Sequence, residues 1–201
     1  MTIRKGEAWG TPGALPDNGV VVGSDAEARA VVEEARRAGR PPPVLGLSGG
    51  DLWRTLGGTT AERLHSESAM TFPVDLGSVL ADGRIYWFVA HLVARTPLWR
   101  QAFVAMNAEW YGDWDLAPRS HPDDGVLDTF EADLTLADLP KVRSRLHHGA
   151  HLPHPRIQQR RTAAIQVTFS RPRPLELDGV VVGRVRELSV RIEPDALQIV
   201  V

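Results

Sequence analysis

The spacing of apolar positions changes period along the chain and divides it into two stretches. Val20 to Val22 is a short apolar run followed by Ser24-Asp25-Ala26-Glu27. That tetrapeptide has the form of a capping box, in which Ser24 accepts the amide of Glu27 while Glu27 reaches back. Ala28, Val31, Val32 and Ala35 then recur at helical spacing, and Gly39 ahead of Pro41 to Pro43 ends the helix. Val44 to Leu47 predicts a second buried strand, running into Ser48-Gly49-Gly50-Asp51 and a short helical turn from Leu52 to Leu56. Strand, helix, strand and glycine turn make one βαβ unit, whose ligand-prone edge is the C-terminal end of its second strand.

After a polar connector over Thr59 to Ala69 the pattern takes a period of two. Phe72 to Gly77 and Arg84 to Val89, joined through Ala81-Asp82-Gly83, predict a hairpin. Ala102 to Tyr111 and Val126 to Ala132 continue the sheet, and Leu136 to His148 reads as helix. Ile165, Val167 and Phe169 alternate with polar neighbours, as do Leu188, Val190 and Ile192. Leu197 to Val201 closes the set after a turn at Pro194-Asp195. The pattern contains neither an internal repeat nor a low-complexity tract.

Composition narrows the chemistry. The 201 residues contain no cysteine, which excludes disulfides, thiolate nucleophiles and Cys-ligated metal centres. The start MTIRKGEAWGTPG lacks the apolar stretch of a signal peptide, and no run approaches the ~20 apolar residues that cross a bilayer. A cytoplasmic protein without a transmembrane segment is expected. The net charge of −2 conceals a segregation. Glu109 to Asp138 holds nine acids and one base, whereas Leu139 to Leu175 holds eight bases, four histidines and no acid. Either the two blocks neutralise one another, or the second forms a basic groove for phosphate or an anionic headgroup. No Walker A loop, Rossmann Gly-x-Gly-x-x-Gly, Ser-His-Asp order or RNA-binding aromatic motif is present, and no nucleic-acid partner is expected.

Five motifs occur in order in the second half: Tyr111-Gly-Asp-Trp-Asp-Leu-Ala-Pro, Asp123-Asp-Gly-Val-Leu-Asp, Gly149-Ala-His-Leu-Pro-His-Pro-Arg-Ile, Leu177-Asp-Gly, and Ile192-Glu-Pro-Asp-Ala-Leu-Gln-Ile-Val-Val. The succession resembles the C-terminal β-sandwich domain of the diacylglycerol kinase and bacterial lipid kinase family, within the NAD kinase–diacylglycerol kinase-like superfamily. Upstream, Gly49-Gly50-Asp51 sits where that family carries its Gly-Gly-Asp-Gly-Thr nucleotide loop, and Pro73-Val-Asp75-Leu-Gly77 resembles the strand entering the second domain. The resemblance implies an α+β fold, a short βαβ unit followed by an antiparallel β-sandwich of lipid-kinase type. Residues 1–70 would be a reduced nucleotide domain and 71–201 the sandwich. It further implies ATP with Mg²⁺ as cofactors, a lipid hydroxyl as acceptor and catalysis in the interdomain cleft.

The chain departs from the family at two places. Leu52 and Trp53 follow Gly49-Gly50-Asp51 where glycine and threonine would let phosphates approach the backbone. Val180 replaces the glutamate of Asp-Gly-Glu, the family's candidate general base. The candidate catalytic residues are therefore Asp51, which would otherwise cap the following helix, and Asp178, which would otherwise form a hairpin turn. Gly49, Gly50 and Asp51 are the cofactor candidates. Asp124 and Asp128, with hard oxygen ligands, are the metal candidates or else belong to a solvated turn. Arg156, Arg160 and Arg161 with His151 and His154 are candidates for a phosphate ligand. His147 and His151 have zinc-ligand spacing, but Gly149 interrupts the helix this needs. Among the six tryptophans, Trp87 reads as core, and Trp53, Trp110 and Trp114 as lining the cleft.

These readings converge on a lipid-kinase-like protein impaired in catalysis, a pseudokinase that binds a lipid or phosphorylated small molecule in the interdomain cleft. An active ATP-dependent lipid kinase with a replaced base and a structural or oligomerisation module are the alternatives. A homodimer is a candidate assembly.

Overall fold

A computed structural model describes residues 9–201. In chain order the strands and helices are β1 (Thr11–Pro12), β2 (Val20–Val22), α1 (Asp25–Arg37), β3 (Leu45–Leu47), α2 (Asp51–Thr55), β4 (Met70–Ala81), β5 (Arg84–Phe88), β6 (His91–Arg95), β7 (Gln101–Met106), β8 (Trp110–Tyr111), β9 (Trp114–Asp115), β10 (Leu127–Asp133), α3 (Leu139–Leu146), β11 (Ile157–Thr162), β12 (Ala164–Leu177) and β13 (Val180–Val200). Short 3₁₀ turns lie at Ala61–His65 and Pro97–Trp99.

The capping box starts α1 as expected. Ser24 Oγ accepts the amide of Glu27 at 3.2 Å, while the Glu27 carboxylate takes the amide of Gly23 at 2.7 Å, one residue before the expected partner. Ala28, Val32 and Ala35 turn inward, and the first two pack with Val22, Leu45 and Leu47. β2 and β3 pair in parallel, completing the βαβ unit.

The long strand β13 is the spine of the molecule. It pairs antiparallel with β12 on one side and β4 on the other, and near its end pairs in parallel with β3 through Ile199 and Leu45. The βαβ unit therefore continues the sandwich sheet, and the boundary expected near residue 70 falls within a continuous hydrogen-bonded network. The expected turn at Pro194-Asp195 is a register shift inside β13, between Glu193 and Leu197. Asp75 stabilises that irregularity. Its buried carboxylate accepts the amide of Asp195 at 2.9 Å and of Gly125 at 2.7 Å, tying two loops to β4.

Between β5 and β6 the chain passes from one sheet layer of the sandwich to the other, although β12 and β13 join both layers into one hydrogen-bonded sheet of eleven strands among the described residues. β5 pairs with β4, whereas β6 pairs with β7 and β12, and β7, β10 and β11 extend the second sheet. Alternation then determines which side chains meet. Phe103 and Ala105 face the sandwich interior with Phe88, Leu127 and Leu188, while Ala102, Val104 and Met106 face outward beneath α3 with Phe130, Val142 and Leu146. α3 begins at Leu139, three residues later than the apolar pattern predicts at Leu136. Asp138 precedes it, its carboxylate closing a turn onto the amide and hydroxyl of Thr135.

One close approach constrains the sheet change. Gly77 lies opposite Phe88, and a Cβ on Gly77 would stand 2.2–2.5 Å from the Phe88 ring. Phe88 is fully buried and cannot swing aside. Gly77→Ala is expected to lower stability by about 1–3 kcal/mol, the usual cost of overpacking. Urea unfolding measures this; an unchanged midpoint would show that the ring moves freely.

Candidate functional site

The loops that follow β2, β3, β8 and β12 converge with the start of β6 on a polar cleft. Its walls include Asp25, Gly50, Asp51, His91, Tyr111, Glu176 and Asp178. The structure thus brings together three residues singled out from the sequence, Gly50, Asp51 and Asp178, and adds four that were not. Asp25 was hidden by its reading as part of a capping box, and His91 by the apolar run around it. Tyr111 was legible only as part of a motif, and Glu176 as one polar position of a strand.

Asp178 forms the floor. It stands at φ +49°, followed by Gly179 at φ +80°, so Asp-Gly makes the β12–β13 hairpin turn. Its carboxylate also accepts the amides of Val89 at 2.9 Å, Ala90 at 2.9 Å and His91 at 3.0 Å, the three residues at which the chain changes sheets. Arg29 Nε lies 4.0 Å away, and no part of the Asp178 side chain reaches solvent. Complete burial raises its proton affinity against the opposing pull of His91 and the three amides. Three backbone amides and Arg29 thus surround this carboxylate at the floor of the cleft.

Asp25, the first residue of α1, accepts the amide of Asp51 at 2.6 Å and of Leu52 at 3.2 Å. Those are the first amides of α2, where phosphate oxygens were expected. Gly50, at φ +103°, allows the contact, since a Cβ there would lie 2.6 Å from the Asp25 carboxyl. The crowding expected from Leu52 and Trp53 therefore has another source. Leu52 is buried in the core, Trp53 packs against Gly58, and Asp25 fills the turn. Gly49 approaches β2, its absent Cβ 2.5 Å from the Gly23 carbonyl.

Asp51 projects into the cleft. Its carboxylate meets His91 Nε2 at 3.0 Å and accepts the Gly112 amide at 3.0 Å. Burial raises its pKa, but these two partners outweigh burial and hold it below the usual carboxylate value. For His91 burial works downward, and the Asp51 hydrogen bond with the Asp178 and Asp51 charges reverses the sign. Asp25 is pushed up to about 7, first by burial and then by the charge of Asp178. Tyr111 donates to Glu176 at 2.6 Å and meets the His91 ring edge-on at 4.8 Å. Asp25, Asp51 and His91 present ligand atoms within 4.8 Å of one another. One nitrogen and two carboxylates suit a borderline transition ion better than Mg²⁺.

The remaining sequence candidates lie outside the cleft. Arg161 pairs with both Asp124 and Asp128, so its guanidinium occupies the place expected of a cation. Arg156 pairs with Asp138 at 3.6 Å, His154 Nε2 lies 3.9 Å from the same carboxylate, and Arg160 reaches Gln158 at 3.2 Å from an exposed strand. The acidic and basic blocks thus meet at Arg161, Arg156 and His154, while Arg160 meets only a neutral amide. His151 is buried beneath α3, and His147 turns toward the Asp113 carbonyl at 3.2 Å. Of the tryptophans, Trp87 is core, Trp110 stacks under Arg54 at 3.3 Å, and Trp114 lines a second pocket.

That second pocket, about 120 Å³, opens between the outer face of the β7–β10 sheet and α3. Its walls are almost entirely hydrocarbon and indole, with Leu98, Trp99, Trp114, Phe130 and Leu146 among them. Leu98 and Trp99 both have φ near +60°, an uncommon conformation for bulky residues, and Leu98 is 68% exposed. The Tyr111 ring lies 5.5 Å from Trp99 and 5.9 Å from Trp114, so an aromatic wall joins the apolar pocket to the polar cleft.

A βαβ unit fused to an antiparallel sandwich, with a glycine turn facing the sandwich across a carboxylate cleft, defines a diacylglycerol kinase-like fold. The chain belongs to the family of the YegS C-terminal NAD kinase β-sandwich-like domain, which residues 82–201 match. Among solved structures it is similar to a diacylglycerol kinase from Bacillus anthracis str. Sterne, with a TM-score of 0.67 and 14% identity over 90% of this chain and 75% of that one. Two further structures from that organism match with TM-scores of 0.67 and 0.63, each at 14% identity over 90% of this chain and 77% of theirs. No curated protein matches. Among the described residues no helix is long and apolar enough to cross a membrane.

The cleft makes stability depend on pH. Asp25 binds its proton more tightly folded, at about 7, than at its ordinary 3.8, so its contribution falls as pH rises through that window. His91, also raised, contributes below its ordinary 6.5 and loses that contribution as pH rises through its folded value. Asp51 acts oppositely, but only near and below pH 3.8. The urea midpoint is expected to fall between about pH 5 and pH 8, with a shallower fall in Asp25→Asn. Equal slopes in the two proteins would contradict the assignment.

Proposed function

We propose that this chain is a lipid-kinase-like binding protein in which phosphoryl transfer is impaired, and that its ligand is a lipid. The apolar part of the lipid would enter beneath α3, and its polar head would face the cleft of Asp51 and His91. The observation that carries this reading is the Asp25 carboxyl on the amides of Asp51 and Leu52. A phosphate cradle depends on free backbone N–H groups, and these two are already taken by the Asp25 carboxyl. ATP with Mg²⁺ therefore does not fit the Gly49-Gly50-Asp51 turn as it stands.

Two further features support the reading. Val180 stands where the family resemblance implies a glutamate base, and Asp178 beside it is engaged by three amides. The aromatic wall of Tyr111, Trp99 and Trp114 links a polar compartment to an apolar one, the division an amphiphile requires. Arg156, Arg160 and Arg161 lie outside both compartments, so the lipid is favoured over a phosphorylated ligand held by these residues.

Titration with millimolar ATP–Mg²⁺ is expected to give no binding heat, and incubation with diacylglycerol no phosphorylated product. Transfer that Asp51→Ala abolishes would overturn the proposal in favour of an active kinase. Ala132 lines the apolar pocket, and Ala132→Leu narrows it. Affinity for a fluorescent monoacylglycerol is expected to fall at least about fivefold, within the range of overpacking effects; unchanged affinity would place the acyl chain elsewhere.

A further inference from the structure

His151 is out of character with the pocket it lines. It is 3% exposed, its ring is 6.1 Å from that of Phe130, and neither ring nitrogen has a hydrogen-bond partner among the described residues. Its neighbours in the pocket wall, Phe130, Ala132, Leu139, Val142 and Leu146, offer only hydrocarbon. Buried polar side chains nearly always find a partner, and leaving one unpaired costs about 1–3 kcal/mol. An ordered water is a poor substitute here, because a buried water needs two to four polar contacts and the charged side chain of the lining, Arg143, lies over the Trp114 ring. An unpaired donor and acceptor at the wall of a pocket open to solvent indicate a group that arrives from outside.

We infer that the pocket beneath α3 is built for the uncharged tail of a lipid that carries one hydroxyl of its own, apart from the polar head at the cleft; that hydroxyl exchanges a hydrogen bond with His151 while a ring or chain end fills the apolar space. This inference rests on the reading of the pocket as a lipid site and narrows what that site accepts. Burial, with no carboxylate close enough to oppose it, lowers the His151 pKa and keeps the imidazole neutral. A neutral imidazole carries one donor and one acceptor. A hydroxyl complements either nitrogen, because it both donates and accepts. A carboxylate or phosphate can only accept, and would bring a charge among apolar walls. Arg143 is the one cationic residue of the lining, and it lies over the Trp114 ring at 5.8 Å. At about 120 Å³ the cavity is close in size to the roughly 150 Å³ apolar cavities that take up benzene, so one ring or chain end fits and two acyl chains do not.

The test uses phenol and toluene, two rings of similar size of which one carries the hydroxyl. NMR titration of the wild-type protein is expected to show both binding, with phenol at least as tight as toluene despite its greater cost of leaving water. His151→Leu is expected to weaken phenol at least about tenfold while toluene holds or tightens, the fold-change of one lost buried hydrogen bond. In the wild-type protein, phenol should shift the His151 ring ¹⁵N resonances and toluene should not, a readout that needs no variant. If both rings bind but the phenol-to-toluene ratio is the same in the two proteins and the ¹⁵N resonances do not move, the role of His151 is overturned and the apolar site stands. If neither ring binds the wild-type protein, the lipid-site reading falls, and this inference falls with it.

Discussion

The fold turns on one buried carboxylate. A chain that passes from one sheet of a sandwich to the other must leave its ladder for a few residues, and the freed amides need acceptors in a dry interior. Asp178 supplies them for Val89, Ala90 and His91 at once, from a hairpin turn of the kind an Asp-Gly pair forms readily. The same contact fixes the start of β6, the position of His91 and the floor of the cleft. Removing the carboxyl would strand three amides together, so the architecture alone requires an acceptor at this position.

A second carboxyl, that of Asp25, performs a comparable service at the glycine turn and changes what the turn can do. In a phosphate-binding loop, amides at a helix start are left free for a ligand's oxygens. Here an oxygen of the protein itself fills the place, and the turn becomes a joint between α1 and α2. Asp51 is directed into the cleft as a consequence, paired with His91 and Gly112. The polar cleft and the apolar pocket then meet across an aromatic wall, which gives the molecule two neighbouring environments of opposite polarity.

Much of the fold was legible in local pattern. The capping box, the βαβ unit, the β4–β5 hairpin and the alternating strands β12 and β13 follow from short-range rules that the structure obeys. The sequence motifs also located the turn and the floor of the cleft at Gly50, Asp51 and Asp178. What stayed hidden is long-range. The expected hairpin strand ends at Val89, close to where β5 ends, but nothing local announces that β6 starts two residues later at His91; that break is held by Asp178, on a distant hairpin. Pro194-Asp195 reads as a turn by composition, yet β4 continues pairing on both sides and absorbs it as an irregularity. Asp25 and His91 join the site for the same reason, since each is ordinary within its own segment and acquires its role from the packing of α1 and β6 around the cleft. The basic tract looked like a groove because its acidic partners, Asp124, Asp128 and Asp138, belong to a different stretch of chain.

The parallel pairing of β3 with the end of β13 has a kinetic side. Leu45 gains its second strand neighbour only when Ile199 arrives, so the βαβ unit keeps an open edge until nearly the whole chain has been placed. Contacts of such wide sequence separation require loop closure before they contribute anything, which slows folding. The βαβ unit, which precedes the sandwich in the chain, thus waits on the last strand to close its edge, and until then that exposed edge is the surface most in need of protection from pairing with another chain.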